Sequence, residues 1–78
     1  MRNVKVYSAP WCPFCNMTKK WLLDHHIPFE DINVQENKEA SNYIFEKTGQ
    51  TAIPVIEIDG KFIIGFDEKK LREALKIE

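Results

Sequence analysis

Cys12 and Cys15 are the only two cysteines in a chain of 78 residues, and they stand three positions apart. A bridge between them closes almost the shortest loop available. Such a bridge adds little as a staple, because the restraint on the unfolded chain grows with loop length. In a sequence with no recognisable secretory leader, this spacing points instead to redox chemistry or to metal binding. Its setting favours the first. The run before the pair is strand-like, and Pro13 fits the opening turn of a helix, where its missing N–H costs nothing. A helix N-terminus exposes unpaired N–H groups and about half a positive charge, which favours a thiolate. Helix N-termini and Cys-X-X-Cys arrangements bring a cysteine from about 8.5 to roughly 3.5–7.5. Cys12 is therefore the expected nucleophile. Cys15, one helical turn on, returns to the same side and is placed to release a mixed disulfide.

Metal binding is the weaker alternative. Zinc takes four ligands, and His25 and His26 are the only nitrogen candidates. Adjacent residues at a helix end point apart, and their distance from Cys15 does not match a Cys₂His₂ finger. No bound metal is expected, and both histidines read as solvated helix-end residues. Pro54, between Ile53 and a strongly apolar run, has two readings. From the tripeptide alone, a loop–strand punctuation mark is favoured. The functional reading is a cis-proline that holds the preceding backbone open for an extended peptide. Trp11 and Phe14 flank the cysteines and are read as a partly exposed apolar rim that receives substrate. Lys19 and Lys20 are read as a solvated helix face.

The elements that must carry these residues follow from periodicity. Alternation over residues 3–8 gives a strand, and apolar recurrence at Phe14, Met17, Thr18, Trp21 and Leu22 gives a helix from Pro13. That helix should end around His25 and His26, since Pro28 disfavours the helical region for Ile27. A second strand is expected over 29–34 and a second helix over 37–47, with Gly49 as its C-cap. Asp59-Gly60 between two apolar runs is a strong hairpin signal. Asp67 should cap a third helix running to about Lys76. The order is βαβαββα: an α/β domain over residues 1–78, with a four-stranded mixed sheet flanked by three helices.

Composition narrows the partners. Eleven Lys and Arg against twelve Asp and Glu give a formal net charge of -1, which supplies no basic face for nucleic acid. The longest apolar run, around Phe62 to Phe66, is too short to span a bilayer. The chain is expected to be cytoplasmic and monomeric, with no nucleic-acid or membrane partner.

With these residues in hand, the chain resembles the glutaredoxin family of the thioredoxin fold over nearly its whole length. The resemblance is carried by Val6-Tyr7-Ser8, Cys12-Pro13-Phe14-Cys15, Ile53-Pro54, Asp59-Gly60 and Ile64-Gly65-Phe66-Asp67. It implies a dithiol–disulfide oxidoreductase with Cys12 as nucleophile, Cys15 as resolving thiol and Pro54 as a cis-proline. Substrate-binding positions on that resemblance are Trp11, Pro13, Phe14, Ile53, Pro54, Gly65, Phe66 and Asp67. Residues 15–20, 29–34 and 65–66 also look like the glutaredoxin-like redoxins that serve ribonucleotide reductase and draw electrons from thioredoxin reductase. Glutathione users often have a basic residue at the position of Ala9, sometimes another at Gln50, and glycine at Ile64. Expected partners are disulfide-bearing proteins. The expected reductant is a flavoprotein thioredoxin reductase or glutathione, the former slightly favoured, with no cofactor bound. A metal or iron–sulfur module using Cys12 is the alternative of a different class.

Overall fold

The computed structural model describes residues 3–77; Met1, Arg2 and Glu78 lie outside them. The elements are β1 (Val4–Ser8), α1 (Pro13–Asp24), β2 (Glu30–Asn33), α2 (Lys38–Thr48), β3 (Val55–Ile58), β4 (Lys61–Ile64) and α3 (Glu68–Leu75). One sheet holds all four strands in the order β2-β1-β3-β4. β1 runs parallel to β2 and antiparallel to β3, with Ser8 opposite Asn33 and Tyr7 opposite Val55; β3 and β4 are antiparallel. This is the expected βαβαββα order. Among the described residues no helix is long and apolar enough to cross a membrane.

Alternation along β1 divides the core. Val4 and Val6 face Trp21, Leu22, Leu71 and Leu75 of α1 and α3, together with Ile56, Ile58 and Ile63. Tyr7 faces the other way, toward Ile44 of α2 and Val55. A strand covered on both faces is what the β-branched, aromatic run of β1 can satisfy.

Turn chemistry fixes the connections. Asp59 (φ 49°) and Gly60 (φ 87°) both take positive φ, as a two-residue hairpin of this type requires. The Asp59 carboxylate also accepts the Asn3 N–H at 2.9 Å. α1 stops at Asp24, slightly earlier than expected. His26 enters the left-handed region, and the Ile27 N–H closes back on the Leu22 carbonyl at 2.9 Å. β2 is shorter at each end than the 29–34 expected.

One difference bears on the site. The buried side of α1 is Cys15, Thr18, Trp21 and Leu22, while Phe14 and Met17, members of the same periodic set, face outward. Thr18 tolerates full burial because its hydroxyl donates to the Phe14 carbonyl at 2.8 Å.

Candidate active site

The C-terminal end of β1, the N-terminal end of β3 and the C-terminal end of β4 lie together, because β1 and β3, and β3 and β4, are antiparallel. The loop carrying the cysteines, the Ile53-Pro54 approach to β3, and Gly65-Phe66 after β4 therefore share one edge of the sheet. The Gly65 N–H donates to the Pro54 carbonyl at 2.8 Å, tying two of these segments together. The Ile53–Pro54 peptide is cis, as the resemblance implies.

Cys12 is the N-cap of α1, with extended backbone (φ -88°, ψ 111°), and Pro13 takes the first helical position. The Cys12 N–H donates to the Ala9 carbonyl at 3.2 Å, and the Cys12 Sγ accepts the N–H of Cys15, also at 3.2 Å. The thiol thus occupies the place that Ser or Asp fills in ordinary caps, where a negative group satisfies a free helix N–H. Both cysteines are free thiols. Cys12 retains only 4% exposure. The Ala9–Cys12 turn tucks it under the first helical turn.

Cys15 is fully enclosed on the buried side of α1. Burial, followed by the hydrogen bond and charge of Cys12, pushes its thiol up to about 12; the backbone N–H of Ala9 and the Lys19 charge act in the opposite direction. At neutral pH Cys15 therefore keeps its proton.

The surroundings sort the remaining candidates. Trp11 (65% exposed) and Phe14 (59%) form an open apolar rim beside Cys12, with Met17 and Ile64 also exposed. Pro13 is exposed and Pro54 buried. Phe66 is half-buried, packing against the α1–α3 core. Asp67 caps α3, its Oδ1 accepting the Lys70 N–H at 3.1 Å. Gly65 takes φ 80° at the exit of β4. Ala9 is 1% exposed, and Gln50 spends its amide on Thr48 Oγ1 and on the Ala52 N–H. Among the described residues no three His, Cys, Asp or Glu side chains gather as metal ligands.

Two polar clusters escaped the sequence reading. Lys19 is not a solvated residue: its Nζ lies 3.0 Å from Asp31 Oδ2 and 3.4 Å from Ser8 Oγ. The hydroxyls of Tyr7 and Tyr43 donate to the two oxygens of Glu57 at 2.9 and 3.0 Å. His25, expected to be solvated, stacks on Trp21 with ring centroids 4.0 Å apart. The i, i+4 relation of Lys19 to Cys15 was the one visible signal for the first cluster.

Comparison with known proteins agrees with this geometry. The glutaredoxin family model matches residues 4–63. The glutaredoxin-like protein NrdH of Lactococcus lactis is 41% identical over 68 residues, covering 87% of this chain and 93% of that one. Glutaredoxin 3 of Escherichia coli is 29% identical over 68 residues, covering 87% and 82%. Among solved structures, a mutant of the thioredoxin-like protein BC3987 superposes with a TM-score of 0.91 at 31% identity, each chain covered completely. The four-stranded mixed sheet with three helices is thus a thioredoxin fold, and the chain belongs to the glutaredoxin family of thiol–disulfide oxidoreductases.

Proposed function

We propose that this protein is a dithiol reductant of protein disulfides in the cytoplasm, with Cys12 as the attacking thiol and Cys15 as the resolving one. The observation that carries the assignment is the contrast between the two sulfurs. Cys12 Sγ sits at the helix cap and accepts an N–H, whereas Cys15 is enclosed and keeps its proton. Cys12 attacks a substrate disulfide, forming a mixed disulfide and releasing one substrate thiolate. Cys15 then loses its proton and attacks Cys12 Sγ. The intramolecular disulfide forms, and the second substrate thiolate leaves. Trp11 and Phe14 offer the apolar contact that protein partners use, and the Ile53 backbone, with Gly65, Phe66 and Asp67, flanks the approach.

The oxidised form needs two electrons to reset, and we propose a thioredoxin reductase-type flavoprotein over glutathione as their source. Glutathione carries two carboxylates, and charge-assisted bonds to such groups are worth about 1.5–3 kcal/mol each. Ala9 offers no charge and is covered, and Gln50 is uncharged with its amide already engaged. Ile64 stands where glutathione users often have glycine. A flat protein partner needs none of these contacts. The NrdH-named relative is also more similar than glutaredoxin 3.

The test is direct. Oxidised protein is supplied separately with NADPH and thioredoxin reductase, and with NADPH, glutathione reductase and glutathione. Rapid reduction only in the first arm is expected. Efficient turnover at millimolar glutathione would return the chain to the glutathione-dependent members of the family.

A further inference from the structure

Lys19 follows Cys15 by four residues on α1, so the two share a face, and helical side chains lean toward the N-terminus. That direction takes the lysine back along α1 toward the turn of Cys15, and its ammonium is held by Ser8 of β1 and Asp31 of β2. Besides its contacts with Asp31 Oδ2 and Ser8 Oγ, the Ser8 hydroxyl donates to Asp31 Oδ1 at 2.7 Å, closing a three-membered cluster. Ser8 is the buried last residue of β1, and Asp31 lies on β2. The side chain of Lys19 is left 19% exposed, against 75% for the neighbouring Lys20, whose partner Asp24 lies on the same helix. Three elements thus converge on one lysine that follows the resolving cysteine by one helical turn.

Building on the dithiol reading, we infer that Lys19, clamped by Asp31 and Ser8, is a positioning residue for the resolving step, its fixed charge assisting Cys15 as it attacks the Cys12 mixed disulfide. In that step the Cys15 proton passes to solvent and the Cys15 sulfur bonds to Cys12 Sγ. The bond from Cys12 to the partner sulfur breaks, and its electron pair departs on the partner thiolate. The groups bearing on Cys15 are few. In the free dithiol Cys12 at the cap opposes its ionisation, an effect that ends once Cys12 carries the partner sulfur; Lys19 on its own helix favours it, and the Ala9 N–H helps from just beyond β1. Asp31 enters from β2 through Lys19, and Ser8 contributes no charge.

Asp31 therefore has two opposed effects: it fixes the lysine and offsets part of its charge. A purely structural ion pair would make loss of either partner act in the same direction. An electrostatic role gives opposite directions when the replacements keep the hydrogen-bonding shape.

The reduced full-length protein is mixed rapidly with excess dithionitrobenzoate, a chromogenic aromatic disulfide. Cys12 releases one coloured thiolate in a phase that depends on reagent concentration. Attack by Cys15 releases the second in a phase that does not, and its rate is followed against pH. Lys19→Gln should slow the second phase and move its profile to higher pH. A one-unit shift costs about tenfold in thiolate, partly offset by greater intrinsic nucleophilicity, leaving about three- to fourfold in rate at neutral pH. Asp31→Asn should speed the phase and move the profile lower, and Lys19→Arg should restore the unmodified profile. Both neutral variants shifting in one direction, or neither shifting, would overturn the proposal, as would failure of the arginine to restore the profile. Absence of any second phase in the unmodified protein would refute the dithiol reading itself, a separate result.

Discussion

Replacing Trp11 by alanine isolates docking from chemistry. The indole projects from the turn before Cys12 with 65% of its surface open. An aromatic side chain of this kind can bury up to about 250 Å², so about 160 Å² is free to meet a partner. If about 100 Å² of it is covered on docking, the contact contributes about 2.5 kcal/mol at about 25 cal/mol per Å². Alanine keeps only the Cβ, so the loss is about 2 kcal/mol, or roughly thirtyfold in kcat/KM for a protein substrate. Folding should change by about 0.5 kcal/mol or less, since the ring lies outside both core clusters. The assay compares kcat/KM for reduction of a protein disulfide with that for a small aromatic disulfide, alongside thermal melts. A loss of less than about threefold on the protein substrate would refute the docking argument. Equal losses on both substrates would instead assign the indole to the cysteine chemistry.

Two further expectations concern other parts of the molecule. Cys12→Ser should abolish disulfide reduction, whereas Cys15→Ser should accumulate mixed disulfides, seen as adducts on non-reducing gels and by mass; trapping by Cys12→Ser would reverse the roles. Tyr7→Phe removes a bond to a carboxylate (2.9 Å to Glu57) and should cost about 1.5 kcal/mol, lowering Tm by roughly 6–12 °C for a domain of this size. Burial, followed by the bond to Glu57, raises the Tyr7 hydroxyl above its ordinary value near 10. The folded state therefore holds this proton more tightly than the unfolded one. Its contribution is complete below about pH 10 and is lost as pH climbs beyond, so the Tm gap between the two proteins should narrow above pH 10. A gap that stays constant up to pH 11 would rule out that contribution.

Features set by neighbours in the chain were legible in the sequence. The seven elements, the Asp59-Gly60 hairpin and the caps at Gly49 and Asp67 rest on local periodicity and turn chemistry. Pairings that depend on sheet register were not. Lys19 meets Asp31 twelve positions away only because β2 lies parallel to β1, which sets Val6 opposite Asp31. Tyr7 and Glu57 are fifty positions apart and need the antiparallel β1–β3 register. The periodicity of α1 was misleading for a different reason. An apolar residue that serves a partner and one that serves the core look alike in composition. Thr18 is fully buried while Phe14 and Met17 are not, and only the tertiary structure separates them.

The same consideration bears on the proposed division of work between two thiols three positions apart. Cys12 and Cys15 belong to the first turn of one helix and share its positive end, so the macrodipole alone would favour both as thiolates. What separates them is the direction each takes from that turn. Cys12, as cap, receives the N–H that Cys15 supplies, so the backbone of one cysteine supports the sulfur of the other. Cys15 itself points into the face formed by Thr18, Trp21 and Leu22, where burial withholds its charge. In the proposed cycle a thiol kept protonated cannot compete for the incoming disulfide, which would order the two attacks. The cost falls on the second step, which must ionise a buried sulfur. In the proposed resolving step that cost is met by the charge of Lys19, which Ser8 and Asp31 hold in place and which follows Cys15 by one helical turn. On this proposal order of attack and ease of release rest on different contacts, so mutation should change one without the other.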